Sequence, residues 1–130
     1  MLSSLKQELQ LLANPEKAKQ LQRFFKTGKG QYGEGDVFLG IAVPRQREIA
    51  KKHLDLSFQD LQELLNSEVH EERLISLIIL INQYKKAKKD RLKKRQIFEF
   101  YLKNTSRINN WDLVDLSAPT IVGDFLEKED

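Results

Sequence analysis

Leu74-Ile75-Ser76-Leu77-Ile78-Ile79-Leu80-Ile81-Asn82-Gln83-Tyr84 is the stretch that decides the fold. Leu74, Leu77, Ile78, Ile81 and Tyr84 recur at steps of three and four, the period of a helix face and not of a strand. The face is broad, and it predicts a core helix with another helix on each side. Its uninterrupted apolar run, Leu77 to Ile81, is five residues long. A bilayer span needs about 20, so the run belongs to a protein core and no membrane partner is expected.

Helical periodicity continues in both directions. Leu2, Leu5, Leu9 and Leu12 share a face, and Asn14-Pro15 breaks that helix and opens another with Ala18, Leu21, Phe24 and Phe25 on its apolar side. A glycine-rich loop follows from Thr27 to Gly40. Within it, Asp36-Val37-Phe38-Leu39 hints at an extended piece but reads best as a loop segment. Pro44 fits the first turn of a third helix, Ser57 with Asp60 forms a capping box for a fourth, and Ser67 begins the core helix. Beyond it, Leu92, Ile97, Phe98, Tyr101 and Leu102 mark a sixth helix, and a seventh starts near Trp111 and runs until Pro119 interrupts it. About seven helices with short connections predict an all-α fold, a HEAT-like α-solenoid of antiparallel helix pairs, in one domain covering residues 1–130. Ile121, Val122, Phe125 and Leu126 form a last apolar face with no following helix to cover it. That face predicts the N-terminal portion of a longer protein, or self-association through an exposed C-terminal face.

The chain has 130 residues, 40% hydrophobic and 32% charged, which is the composition of a globular protein. It contains no cysteine, which removes disulfides, thiolate metal sites and cysteine nucleophiles together. A reducing, cytoplasmic setting is expected, and the N-terminus lacks the cationic lead and apolar run of a signal peptide. Net charge is +3 and unevenly placed: residues 1–84 carry eleven basic and eleven acidic side chains, and residues 85–130 carry eleven and eight. The excess comes from Lys85 to Arg95, with eight basic residues in eleven opposed only by Asp90. Such a run can meet phosphates by counterion release, or it can be a solvated turn whose lysines favour a helix C-terminus.

Gly28-Lys29-Gly30-Gln31-Tyr32-Gly33 spells a dinucleotide-binding pattern, but a helix precedes it and more loop follows. The strand-turn-helix context that gives the pattern its chemistry is missing, and no nucleotide cofactor is expected. As a loop it offers close backbone approach, with Lys29 within reach of a phosphate backbone, joined by Arg45, Arg47 and Lys51 around the third helix. His53 and His70 lie on different helices without a second ligand at metal spacing, so no metal is expected. Glu68, Glu71 and Glu72 match the electrostatics of a helix start. Trp111 and Asp115 stand four apart, on one helix face. An aromatic face beside a carboxylate suits a cationic, sugar-like group. The pattern also fits plain helix initiation, with Asn110 as N-cap, Asp112 in the first turn and tryptophan in the core. Asp112 and Asp115 share one turn and cannot flank a sugar as a glycosidase pair does.

Three motifs taken together resemble a known family. They are Asp36-Val37-Phe38-Leu39-Gly40-Ile41-x-x-Pro44-x-x-Arg47, His70-Glu71-x-Arg73-Leu74, and Asn110-Trp111-Asp112-x-Val114-Asp115 with Pro119 and Gly123-Asp124 beyond. They are similar to the AlkD-type DNA alkylation repair proteins over nearly the whole chain. The resemblance implies a DNA glycosylase of HEAT-like repeats, with no cofactor. It would hold duplex DNA on a concave surface and excise cationic alkylated purines such as 3-methyladenine and 7-methylguanine. It also implies that Trp111 and Asp115 are catalytic, assisted by an arginine on a helix later than Asp130. A non-catalytic HEAT-like DNA-binding module and a protein-interaction scaffold are the alternative readings.

Overall fold

A helix that is apolar nearly all round is stable only where other elements enclose it, and residues 70–81 are buried without exception. The computed structural model describes residues 2–24, 37–108 and 111–129, and the side chains at 24, 111, 112, 115, 116, 128 and 129 are outside that set. Its helices are α1 (Leu2–Leu12), α2 (Pro15–Phe24), α3 (Val43–Lys52), α4 (Phe58–Leu65), α5 (His70–Ala87), α6 (Arg91–Lys103), α7 (Trp111–Ala118) and α8 (Asp124–Glu129). A 3-10 turn, Thr105–Arg107, precedes α7, and a π segment, Pro119–Gly123, joins α7 to α8 without a break. Seven separate rods of helix result among the described residues, and the all-α class expected from periodicity holds.

The rods lie in two rows around α5. α3, α4, α6 and α7 all pack against α5. Gln83, near the end of α5, donates to the carbonyls of Leu54 and Leu56 just past α3. Arg107, just before α7, donates to the carbonyls of Leu65 and Asn66 just before α5. Tyr84 near the end of α5 donates to Asp124 at the start of α8. Ends therefore meet like ends, and α3, α5 and α7 run parallel. The even helices touch through stacked rings, Phe58 on Phe100 and Phe98 on Phe125, at 5.0 and 4.2 Å between centroids. This two-row order is compatible with stacked antiparallel pairs.

Local chemistry explains most helix ends. Asn14 Oδ1 accepts from the backbone N–H groups of Glu16 and Lys17 and caps α2. Ser57 Oγ accepts from Asp60 N–H, half of the expected capping box. Three expectations need correction. The core helix starts at His70 and not at Ser67, whose hydroxyl instead accepts from Val69 N–H in the preceding turn. Pro119 does not end its helix: proline removes one i→i−4 hydrogen bond, and the chain absorbs this by widening to a π turn, with Asp124 N–H bonded to the Pro119 carbonyl five residues back. The last apolar face is not open, because α6 and α5 cover it. Ile121 and Phe125 are buried, and Leu126 is the large apolar side chain left exposed there.

Candidate functional site

The parallel ends of α3, α5 and α7 meet on one edge, and a buried carboxylate organises it. Glu71, 1% exposed, takes the backbone N–H of Leu39 on Oε1 at 2.9 Å, and those of Gly40 and Ile41 on Oε2 at 2.9 and 3.3 Å. Three donors on one buried charge supply the partners without which its burial would be costly. The same segment is pinned from both sides. Val37 forms a parallel bridge with Val69, and Phe38 stacks on His70 at 4.6 Å. Asn14 N–H donates to the Leu39 carbonyl, and Gln46 Nε2 to the Ile41 carbonyl. Gly40 has φ +83°, and a Cβ there would lie 2.1 Å from the Asn14 carbonyl oxygen. Only glycine fits that crossing.

This latch fixes where α3 begins, and with it the basic residues expected to meet phosphate. They are not all brought together. Gln46, Ile49 and Ala50 form the buried seam of α3. Arg47 and Lys51, four apart and exposed, share one flank. Arg45 falls on the other flank beside Glu48, 3.4 Å away, toward α1. On that flank Glu8 of α1 receives Lys52 at 3.3 Å and the His53 ring Nε2 at 3.0 Å. The His53 hydrogen bond is the main reason that the Glu8 carboxyl is held below its ordinary pKa. Lys29, with the rest of the glycine loop up to residue 36, lies outside the described residues, as does Asn110.

On α7 the buried seam runs through Leu113, Ser117 and, past the π turn, Ile121, each 0% exposed. Ser117 Oγ donates to the Leu113 carbonyl and shares a 2.9 Å hydrogen bond with the Tyr101 hydroxyl. Burial pushes the Tyr101 phenol above its ordinary pKa, keeping it neutral. At about 100° per residue, positions 111 and 115 fall on the opposite side of the helix from that seam. Their backbone is helical, and the side chains of Trp111 and Asp115 lie outside the described set.

Glu71 is the residue whose role the sequence concealed, since an acid in a first helix turn looks ordinary. The usable signal was its place in the His70-Glu71-x-Arg73 motif, paired with a glycine beside an extended segment. Among the described residues no group of three acidic or histidine side chains is placed to hold a metal ion. No described helix is long and apolar enough to cross a membrane. A family model described as DNA alkylation repair enzyme matches residues 5–130. Neither a curated protein nor a solved structure matches the chain.

Proposed function

The chain belongs to the DNA alkylation repair enzyme family, and from that premise we propose that it is a glycosylase releasing cationic alkylated purines, such as 3-methyladenine and 7-methylguanine, from duplex DNA. Alkylation at N3 or N7 puts a positive charge on the base. When the C1′–N9 bond breaks, its electron pair neutralises the departing purine, so little acid assistance is needed. The positive charge passes to the sugar as an oxocarbenium-like centre, and stabilising it is the main catalytic demand. Asp115 opposes that charge and orients the water that adds to C1′, whose proton leaves to solvent. Trp111 lays its π face against the deoxyribose and excludes bulk water. Arg47 and Lys51 hold the phosphates, with Lys29 and Arg45 as further contacts. No cofactor enters the reaction. In this reading the 130 residues are one HEAT-like repeat domain.

The observation that carries the reading is the division of α7. Leu113, Ser117 and Ile121 already fill its core seam, so packing along that seam does not account for a tryptophan and an aspartate four apart on the far side. Base release from 7-methylguanine-containing duplex tests it. Asp115→Asn keeps the shape and removes the charge, and is expected to slow release by about a hundredfold. Trp111→Ala should slow release and also weaken binding. An Asp115→Asn protein as fast as its parent overturns the assignment.

A further inference from the structure

The opposite edge of the molecule carries cations at positions where local stability prefers something else. Lys88, the C-cap of α5, has φ +50°. This is left-handed backbone that favours glycine and costs another residue about 1 kcal/mol. Past its cap Asp90, the first turn of α6 has no acid. It holds Arg91, Lys93 and Lys94, although the positive end of a helix dipole favours acids there. The common explanation for basic turns, lysines soothing a helix C-terminus, covers Lys85 and Lys86 on α5 and does not reach α6. Lys88 and Arg91 break a local rule with no ring contact or ion pair among the described residues to offset it, and such positions are where function is expected.

The geometry suits a polyanion. Lys85, Lys86, Lys88, Lys89 and Arg91 are exposed and form no ion pair with any described residue. The one acid within the turn, Asp90, is engaged by accepting from Lys93 N–H. Lys93 and Lys94 lie over the rings of Phe58 and Tyr84 at 4.5 and 4.9 Å, which holds their charges in place. Lys86 and Lys93 line a cleft of about 400 Å³ that also takes in Ser57 and Asp55.

We propose that the α5–α6 turn is a second DNA contact surface, which binds backbone phosphates irrespective of any lesion. The 18 residues of α5 place it about 27 Å from the latch edge, while Lys85 and Lys94 line a pocket with Pro119, one helical turn beyond Asp115. The choice of DNA over other polyanions rests on the family reading. The surface itself does not depend on Trp111 or Asp115.

The test is fluorescence anisotropy with an undamaged labelled duplex over a salt series, which reads binding without any base release. The combined variant Lys88→Asn, Lys89→Gln and Arg91→Gln should bind about tenfold more weakly at 50 mM salt. Its slope of log K against log salt should shrink by about 0.9 for each phosphate that is no longer neutralised, up to about 2.7. A control with Lys17→Gln, Lys19→Gln and Lys103→Gln, exposed lysines elsewhere, should bind as the parent does. Unchanged affinity and slope in the first variant overturn the proposal, and so does an equal loss in the control, which would report net charge alone. Binding to phosphatidylserine vesicles that falls with the first variant while DNA binding stays intact would assign the surface to a membrane and overturn it as well. A protein that binds as expected but releases no base keeps this surface and loses only the glycosylase reading.

Discussion

The two ends of α5 treat charge in opposite ways. At the N-terminal end Glu71 is enclosed, and its two oxygens are saturated by three backbone donors. Two local preferences are obeyed there, an acid in the first helix turn and glycine where φ is positive, although Val69 caps the helix without a side-chain hydrogen bond. At the C-terminal end the side chains are cationic and exposed, and the preferences are broken at Lys88 and again at the start of α6. The first end spends its charge on internal order, which gives α3 a fixed starting point. The second holds its charge outward, where only solvent or a partner can answer it. Charge count in the sequence does not separate these roles; burial and hydrogen bonding do.

The largest effect expected from breaking this contrast is at the ordered end. Glu71→Ala strands three N–H groups that lose their acceptor, each worth about 1–3 kcal/mol when buried and unpaired. A loss of about 4 kcal/mol is expected after partial relaxation, a large fraction of the stability of a small domain. Glu71→Gln should cost less, because one amide oxygen can still serve Gly40 and Ile41 while its NH₂ group is left facing Leu39 N–H. Urea denaturation gives the ranking, and hydrogen exchange at residues 39–41 shows whether the latch opens first. Equal stability of parent and Glu71→Ala would mean that the Val37 bridge, the Phe38–His70 stack and the Asn14 and Gln46 hydrogen bonds hold the segment without Glu71.

That end also shows where sequence reading stopped. The all-α class was legible because Leu74, Leu77, Ile78, Ile81 and Tyr84 repeat with helical period. Asn14, Pro44 and Ser57 announced helix starts because capping is short-range chemistry. The latch was not legible, since Glu71 and its three donors are 30 to 32 residues apart in the chain. Pro119 misled for a related reason. Proline's local effect is to disfavour a helix, and the buried neighbours Leu113, Ile121 and Phe125 outweigh it, with a π turn as the compromise. The Trp111–Asp115 pair was legible as a spacing, and Arg45 was grouped with Arg47 because residues two apart look adjacent in sequence but lie on different helix flanks.

A smaller effect should appear where α1 joins α3. The Glu8 carboxyl titrates lower in the folded protein than its ordinary value of 4.5, chiefly through His53. Its contribution to stability is therefore complete above about pH 4.5 and is lost as pH falls through the lower folded value. The pair is partly exposed, so its worth is put at roughly 0.5–1 kcal/mol. Glu8→Gln should be less stable than its parent at pH 7 by that amount, and the gap should narrow as pH falls below 4.5. A gap that does not narrow at all on acidification would mean that the carboxylate charge is not its source.

The smallest effect has the opposite sign and bears most directly on the exposed end. Arg91 is the first residue of α6, fully within reach of the helix dipole, and makes no ion pair with a described residue. Arg91→Glu exchanges a repulsive charge for an attractive one at that position, and should raise stability by about 0.5 kcal/mol at low salt, less in 0.5 M salt where screening removes the difference. The same change should weaken binding to undamaged duplex, because it subtracts two charges from the surface that faces phosphate. Stability and binding moving apart in one variant is the signature of a residue retained for contact and not for folding. If Arg91→Glu lowers the urea midpoint instead, the cation is contributing to the fold, and the contrast between the two ends of α5 loses its energetic basis at α6.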